Sequence, residues 1–485
     1  MTLSTSPRRT REVGPRGTLY EKIWARHRVV ENEDGATVLY IDRHYLHEGM
    51  YQRARQVLEA RHLRVRRPML CTATTDHFVP SDPARRRLPV STMAEPVSGF
   101  MSFCEEFGIE VFGPTHALQG IAHVLGPETG LSQPGMTIAC ADSHTSTHGA
   151  LGALAFGIGS TEAAHILATQ CLVQYPDRTM RVAISGHLQP GVAAKDVMLR
   201  LLSDHGTNVG VGYAIEYAGP CVRAMTMEER LTLCNMTIEL GARCGMIGPD
   251  DTTVSYLAGR QFAPDDAAWD ASVAFWLSLA SDEDAVFDAE LSLDASTVRP
   301  MVTYGTKPSA AAPVDGCVPR GHPATAHEPD SDYMCLPLGQ PIAGNPVQVV
   351  FIGSCTNGRL EDLRAAATIL DGHRVAQGVR LVVVPGSQQV KRLAEEEGLD
   401  QVFIAAGGLW GESGCSMCVG ANGDIGEPGQ YIASTSNRNF RNRQGPGTRT
   451  LLMSPMTAAA TAIEGAVADP RRYLESRRIP SETRQ

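Results

Sequence analysis

The carboxyl-terminal half of the chain alternates short apolar runs with segments of helical spacing. The apolar run 347–352 leads into a glycine-flanked turn, and helical spacing follows at 360–370. The order repeats with an apolar run at 379–384 and helical spacing at 388–397, and a third apolar run at 402–405 predicts another strand. Strands that alternate with helices predict a parallel sheet with crossover connections. We therefore expect an α/β fold whose ligands bind beyond the carboxyl ends of the strands.

The amino-terminal half shows a similar but weaker alternation. Apolar runs predict strands at 38–41 and 136–138, and helical spacing predicts helices at 52–60, 160–170 and 232–242. Near the carboxyl terminus, an alanine-rich segment predicts a closing helix at 456–464. Helix 232–242 would place Asn235 and Glu239, four residues apart, on one face. That polar pair could enter a site, or it could lie on an exposed helix face.

Changes in pattern divide the chain into five segments. A chain of 485 residues is long enough for about three domains. We expect a flexible, basic extension at 1–17, two domains within 18–300, a connecting segment at 301–345, a third domain at 346–470 and a charged tail at 471–485.

Composition narrows the class of protein. The residues are 43% hydrophobic and 20% charged, and we find neither a membrane-spanning apolar run nor a secretory signal, so a cytoplasmic location is expected. The net charge of −10 argues against a general nucleic-acid-binding surface. Twelve cysteines without compact disulfide spacing suggest reduced thiols, with metal or cluster binding for any special subset.

Three cysteines stand out in this respect. Cys355 lies in a glycine-flanked turn, and Cys415 and Cys418 form a C-x2-C pair in another. They could be ordinary buried thiols or a zinc site. They could also hold three corners of a [4Fe-4S] cluster and leave the fourth iron open, because full protein ligation takes four cysteines.

A second candidate for chemistry follows the strand that ends near Cys140. Asp142, Ser143 and His144 crowd one turn, where their hydrogen bonds could converge on a ligand. A Ser-His-Asp hydrolase does not fit, since no G-x-S-x-G elbow precedes a helix here.

Two more histidines could take part in proton transfer. Asp76 and His77 follow a threonine-rich run, and a carboxylate can orient and polarise a neighbouring imidazole. A surface turn is the alternative. His123 by itself suggests a structural histidine.

The segment after the C-x2-C pair is rich in arginine and asparagine. Arginine recognises carboxylates through two parallel hydrogen bonds, so Arg438 and Arg443 could clamp a dicarboxylate. A solvated basic loop is the alternative.

Together these blocks resemble the aconitase superfamily, and most of all its isopropylmalate dehydratase large subunits. The similarity runs from about Tyr40 to Glu464. Four blocks occur in the family order, and they are residues 140–149, 351–357, 414–418 and 434–440.

The resemblance implies a fold, a cofactor and a reaction. The fold would be a three-domain core of parallel and mixed sheets flanked by helices, without the swivelling fourth domain of aconitases. Cys355, Cys415 and Cys418 would hold a [4Fe-4S] cluster whose open iron acts as a Lewis acid. The reaction would dehydrate a 2-substituted malate to a cis-alkene and rehydrate it to the 3-hydroxy isomer, as in leucine biosynthesis.

The resemblance also implies residue roles. The acid groups near the leaving hydroxyl would be Asp76 with His77, His123, and Asp142 with His144. Glu239 and Asn235 would position iron-bound water, and Ser143, Asn437, Arg438 and Arg443 would bind substrate. A separate small subunit would carry the missing domain and the catalytic base, so the isolated chain should be inactive.

Four departures from the family pattern bear on specificity. They are Arg53, Gly411, Tyr431 and Arg441. They could be neutral, or they could indicate homocitrate, methylmalate or a phosphonomethyl malate as substrate. An iron-responsive RNA-binding regulator is a competitor of another class, against which the acidic charge argues. A cluster-free structural relative is disfavoured by the complete cysteine set.

Overall fold

The computed structural model describes residues 17–87, 94–320 and 331–476. The expected extension at 1–17 lies outside these ranges except for Gly17, whose backbone N–H donates to Asp282 at 2.7 Å. The tail beyond residue 476 lies outside them as well. None of the helices in the described ranges has the length and apolarity needed to cross a bilayer.

The strands are short, as is usual for sheets covered by helices. In chain order they are β1 (Arg28–Glu31), β2 (Thr37–Tyr40), β3 (Arg43–His47), β4 (Cys71–Thr74), β5 (Val111–Phe112), β6 (Thr137–Cys140), β7 (Leu154–Gly157), β8 (Cys171–Gln174), β9 (Arg178–Ser185), β10 (Tyr213–Ala218), β11 (Cys244–Ile247), β12 (Ala289–Asp294), β13 (Met301–Thr303), β14 (Ala311–Pro313), β15 (Val349–Ile352), β16 (Arg380–Val383), β17 (Leu409–Trp410), β18 (Tyr431–Ser434) and β19 (Arg449–Leu452).

The helices fill most of the segments between strands. They are α1 (Leu19–His27), α2 (Tyr51–Ala60), α3 (Pro83–Arg86), α4 (Glu95–Phe107), α5 (Ala122–Thr129), α6 (Ser160–Thr169), α7 (Ala194–His205), α8 (Pro220–Ala224), α9 (Met227–Asn235), α10 (Asp251–Leu257), α11 (Asp266–Ser278), α12 (Ser331–Met334), α13 (Ser354–Asn357), α14 (Leu360–Leu370), α15 (Gln388–Glu396), α16 (Leu399–Ala406), α17 (Pro455–Glu464) and α18 (Arg471–Ser476). Short 3-10 helices lie at Pro68–Leu70, Ser143–Leu151, Met236–Leu240, Ala295–Thr297 and Ser416–Cys418.

Three parallel sheets follow one another along the chain. The first has the strand order β5-β4-β3-β6-β7, the second β11-β10-β9-β12 and the third β17-β16-β15-β18-β19. The central strands β4, β6 and β15 are buried at every position, because parallel strands are normally covered by helices on both faces. The described residues therefore have the expected α/β class with parallel sheets flanked by helices.

Two small antiparallel sheets complete the described structure. One has the order β1-β2-β8, and the other pairs β13 with β14. The second pair lies at the start of the segment 301–345, which we expected to be an extended connection. That segment therefore contains regular structure.

Two predicted elements differ from the structure. The expected strand at 402–405 is wrong, since these residues lie within α16. The expected helix at 232–242 is interrupted, because α9 ends at Asn235 and a 3-10 helix continues to Leu240. Asn235 and Glu239 are thus carried by two different helical segments.

The carboxyl ends of the first and third sheets meet. The Cys415 N–H donates to the Asp76 carbonyl at 2.8 Å, which joins the loops that follow β17 and β4. Gly120 and Ser387 form an isolated antiparallel bridge between the same two parts of the chain. The loops predicted to carry chemistry therefore converge on one region.

Candidate active site

The carboxyl edge of the first sheet brings five predicted residues together. Asp76 and His77 follow β4, Asp142 and His144 follow β6, and His123 lies in the first turn of α5. Parallel neighbouring strands end at the same edge of a sheet, so these residues face a common space.

Asp142 is the shared partner of three histidines. Its Oδ2 lies 3.4 Å from His77 Nε2, and its Oδ1 lies 3.2 Å from His123 Nε2. The backbone N–H of His144 donates to the same Oδ1 at 2.7 Å. Burial by itself would raise the pKa of Asp142, but hydrogen bonds from His123, His144 and His77 hold it well below its usual value.

His77 lies between two carboxylates. Its Nδ1 is hydrogen-bonded to Asp76 Oδ1, and its Nε2 faces Asp142. Burial opposes a charge on the ring, but the two carboxylates outweigh it and raise the pKa of His77 well above its ordinary value. The Ala122 N–H donates to the second Asp76 oxygen at 3.2 Å, which fixes that carboxylate. His77 can therefore carry a proton at neutral pH.

Glu48, which the sequence analysis did not single out, holds this pair in place. Its carboxylate accepts the backbone N–H groups of Asp76, His77 and Phe78 at 2.7–3.1 Å, and the residue is 1% exposed. Burial and the neighbouring Asp76 raise the pKa of Glu48. The signal available in the sequence was the His47-Glu48 dipeptide at the end of β3.

Glu48 also belongs to a compact cluster with His47, Asp76 and His77. Each offers one ligand atom, and these atoms lie within 4.8 Å of one another, as a metal site would require. Their ligand atoms are already engaged, however: His47 contacts the Ala141 carbonyl and the Gly49 N–H at 3.2 Å each. We therefore interpret the cluster as a hydrogen-bonded support.

A third imidazole–carboxylate pair crosses from the first sheet to the second. His144 Nε2 lies 3.1 Å from Glu239 Oε1, and Arg438 Nε donates to the same oxygen at 2.7 Å. Burial would raise the pKa of Glu239, but His144 and Arg438 lower it. Ser143 Oγ lies 3.4 Å from His144 Nδ1 beside this pair.

The three predicted cluster cysteines are buried at the carboxyl edge of the third sheet. Cys355 is in α13 after β15, and Cys415 and Cys418 lie in the loop after β17, each 5–6% exposed. Asn235 and Asn437 donate side-chain N–H groups to Cys355 Sγ at 3.2 and 3.4 Å. Amide donors directed at sulfur favour a thiolate, which is the form that binds metal.

The donor set of three buried thiols fits the iron–sulfur cluster that the family resemblance implies, since cysteine thiolates are the ligands of such clusters. Burial raises the pKa of Cys355 to about 12, and the neighbouring Cys418 adds to this, so binding a cationic metal would displace protons.

Arg438 and Arg443 lie at the same edge but have different partners. Arg438 pairs with Glu239, whereas Arg443 Nη2 lies 4.0 Å from Cys418 Sγ. The Arg443 Nε is buried without a hydrogen-bond partner among the described residues. An orphaned guanidinium donor beside the cysteines is consistent with an anionic ligand.

The four departures from the family pattern differ in their surroundings. Arg53 is exposed on α2, and Arg441 is exposed over the Tyr333 ring at 5.1 Å. Tyr431 donates its hydroxyl to a backbone carbonyl, and Gly411 is buried near Val384.

Comparisons with known proteins show which family the chain is similar to. Residues 21–465 match the Aconitase family (aconitate hydratase). The 3-isopropylmalate dehydratase large subunit of Roseiflexus castenholzii is 53% identical over 468 residues, which are 94% of this chain and 99% of the relative. The protein of the same name from Anaeromyxobacter dehalogenans is 52% identical over 95% of this chain and 98% of its own.

A solved structure, holo-form aconitase X of Thermococcus kodakaraensis, aligns with 82% of this chain and 84% of its own, at 12% identity and a TM-score of 0.44. The family match includes all four sequence blocks. The chain belongs to the aconitase family.

Proposed function

We propose that this chain is the large subunit of a 3-isopropylmalate dehydratase, a hydro-lyase of leucine biosynthesis. The observation that carries the proposal is the convergence of three imidazole–carboxylate contacts beside three buried cysteines: His77 with Asp76, His123 with Asp142, and His144 with Glu239. Two relatives more than half identical over nearly their full length bear that name.

Cys355, Cys415 and Cys418 would hold a [4Fe-4S] cluster. When bound, it supplies a Lewis acid at an iron without a cysteine ligand. Asn235 and Asn437 would keep their N–H groups directed at the cysteine sulfur. The sulfur donor set and the buried surroundings support this assignment.

The histidines would donate the proton that the leaving hydroxyl needs. In the dehydration, a base removes a proton from carbon, the neighbouring C–O bond breaks, and the hydroxyl leaves as water after it gains a proton. His77 and His123, each beside a carboxylate, are suited to donate that proton. Return of water to the other carbon gives the isomeric product.

The substrate carboxylates would be bound by Ser143, Asn437, Arg438 and Arg443. The free Nε of Arg443 supports this role, because a buried guanidinium donor needs an acceptor. The relatives are large subunits, which supports a small-subunit partner. That partner would supply the base that removes the carbon-bound proton.

The test is turnover by the chain co-purified anaerobically with its small subunit. We expect isopropylmalate to be dehydrated and isomerised, with formation of the alkene followed by its absorbance. Citrate, homocitrate, methylmalate and a phosphonomethyl malate serve as competitors. Preferred turnover of one of these would replace the proposed substrate, and no turnover of any would overturn the reaction.

The cluster is tested separately by iron and sulfide content. Cys415→Ala should lower both and remove the visible absorbance, because a ligand is lost. The matched control is Cys317→Ala, since Cys317 is exposed and lies away from the buried trio. Equal iron and sulfide in both variants would contradict the ligand assignment.

A further inference from the structure

A buried chain of hydrogen bonds extends from His123 away from the reaction site. His123 Nδ1 lies 3.1 Å from His148 Nε2, and His148 Nδ1 lies 2.8 Å from Ser132 Oγ. Ser132 Oγ lies 2.8 Å from the Tyr45 hydroxyl. All four residues are at most 2% exposed, so water does not compete for these contacts.

Three elements hold this chain of hydrogen bonds in place. Tyr45 lies on β3, His148 lies in the 3-10 helix Ser143–Leu151, and their rings stack with centroids 4.9 Å apart and planes 8° apart. Gly126 of α5 packs against both rings: a Cβ there would lie 2.6 Å from the Tyr45 hydroxyl and 2.9 Å from His148 Cε1. The Ser132 N–H donates to the Gly126 carbonyl at 3.1 Å, which fixes the serine as well.

The chain bears on the proton of His123 because each nitrogen of that ring has a separate partner. Nδ1 faces His148, and Nε2 faces Asp142 at 3.2 Å. A neutral imidazole carries one N–H, so the nitrogen that accepts from His148 leaves the proton on the other nitrogen.

One direction of the chain satisfies every donor. If Tyr45 donates to Ser132, Ser132 donates to His148 Nδ1, and His148 Nε2–H donates to His123 Nδ1. The proton of neutral His123 then lies on Nε2, directed at Asp142. The reverse direction would leave the Tyr45 O–H without an acceptor among the described residues, and a buried unmade donor is costly.

Burial favours the neutral form of His148. It lowers the pKa of His148 well below its ordinary value, and the positive charge of Arg359 adds to this shift. A neutral His148 can donate to His123 only by accepting from Ser132, so the two ends of the chain are linked.

We propose that His148 is a positioning residue that, with Ser132 and Tyr45, holds the proton of neutral His123 on Nε2, toward Asp142 and the reacting hydroxyl. The catalytic part of this inference rests on the proposed function. The tautomer of His123 does not, because it is a property of the folded polypeptide without substrate or small subunit.

The tautomer is tested by nitrogen-15 NMR of the full chain labelled at histidine, with the His123 signals assigned by a His123→Gln variant. We expect a protonated Nε2 and an unprotonated Nδ1 in the wild type. His148→Phe retains the ring but removes both nitrogens and should yield a mixture of His123 tautomers. A wild-type ring protonated at Nδ1, or no change in His148→Phe, would overturn the proposal.

Two further variants keep the test informative if His148→Phe does not fold. Tyr45→Phe removes the hydroxyl that donates to Ser132. Ser132 can then accept a hydrogen bond from His148 instead of donating one, so a mixture of His123 tautomers is expected here too. His148→Gln can supply one amide N–H toward His123 and should restore the Nε2–H form. Failure of both predictions would overturn the proposal.

Kinetics with the small subunit test the link to catalysis. His148→Phe should lower kcat by about 10- to 100-fold, less than the full contribution of a general acid, with KM within about twofold. His148→Gln should recover most of kcat. Absence of turnover in the wild type would contradict the proposed function without affecting the tautomer result. A wild-type kcat in His148→Phe would contradict the catalytic role of His148.

Discussion

Glu48 illustrates how single residues support the site. A buried carboxylate is costly to desolvate unless it is hydrogen-bonded, and Glu48 offsets that cost with the backbone N–H groups of Asp76, His77 and Phe78. It thereby fixes the loop that presents the His77–Asp76 pair.

We expect Glu48→Gln to lower the free energy of unfolding by about 2 kcal/mol, because the amide nitrogen would face backbone donors and charge-assisted hydrogen bonds are lost. Chemical denaturation of the holo-protein measures this. The control is Glu59→Gln, since Glu59 forms an exposed pair with Arg55 and should change stability by less than about 0.5 kcal/mol. Equal effects in the two variants would contradict the supporting role.

Glu128 leads to a prediction about pH. Its Oε1 is buried without a hydrogen-bond partner among the described residues, and burial raises its pKa to about 7. The unfolded value is about 4.3, so the folded protein binds this proton more tightly and loses stability as the pH rises through about 7.

Glu128→Gln removes this titration. The free energy of unfolding of the variant, relative to that of the wild type, should rise by about 3 kcal/mol from about pH 5 to about pH 8. Urea denaturation at both pH values measures the difference. A constant difference across that range would show that Glu128 is already ionised in the folded protein without penalty.

Residue types were the most predictable part of the site. Cys355 and Asp142 with His144 follow apolar runs that form strands, so their loops could be predicted at strand ends, whereas Cys415 and Cys418 stand out by their C-x2-C spacing. The contacts of His148 and Lys195 could not be predicted, because their partners Ser132 and Ser436 are not adjacent in the sequence.

At the scale of elements, the wrong prediction of a strand at 402–405 has a physical cause. The run 402–405 is apolar enough for a strand, but it lies in an eight-residue α-helix. Gly398 and Gly407, both with left-handed backbone, flank that helix at its two ends. Phe403 and Ala406 are buried while Ile404 is exposed, which is helical rather than alternating spacing. Short apolar runs alone do not separate these cases.

The 3-10 helix Ser143–Leu151 packs tightly on β11, and this yields a prediction. A Cβ at Gly149 would lie 1.8 Å from the Gly245 carbonyl oxygen, a backbone atom that cannot rotate away. Gly149→Ala should therefore destabilise the protein by about 3 kcal/mol and displace His144 and His148.

The matched control is Gly248→Ala just beyond the same strand. A Cβ there meets Ala280 at an ordinary distance of 3.6 Å, so its stability should stay within about 0.5 kcal/mol of the wild type. Thermal denaturation compares the two. Wild-type stability in Gly149→Ala would mean that the helix can move off β11 freely.

At the scale of the whole molecule, the site draws on all three sheets. The loops of the first sheet supply histidines and Asp142, the connection between β10 and β11 of the second supplies Asn235 and Glu239, and the loops of the third supply the cysteines. Contacts such as Asn235 to Cys355 and Glu239 to Arg438 join parts more than a hundred residues apart. Family resemblance could predict this meeting, but spacing along the chain could not.

Lys195 is the buried link between the second and third sheets. It is 0% exposed on α7, and its Nζ donates to the Ser436 carbonyl at 2.6 Å, one residue before Asn437. Burial lowers the pKa of Lys195 to about 7, and the nearby Asp362, Asp196, Cys418 and Cys355 oppose that shift. The hydrogen bond can thus hold the loop that we propose binds substrate, and the charged form of the lysine would favour thiolates.

We expect Lys195→Met to raise KM about tenfold, because the loss of a charged hydrogen bond of about 1.5–3 kcal/mol frees the loop that carries Asn437 and Arg438. It should also hasten iron loss in air, since the positive charge near the cysteines is gone. Lys195→Gln keeps a donor without the charge and should restore KM but not iron retention. Lys391→Met, which removes only surface ion pairs on α15, is the control and should change neither. If KM and iron retention both stay at wild-type values in Lys195→Met, the two sheets are held together by other contacts and the buried lysine has no part in the site.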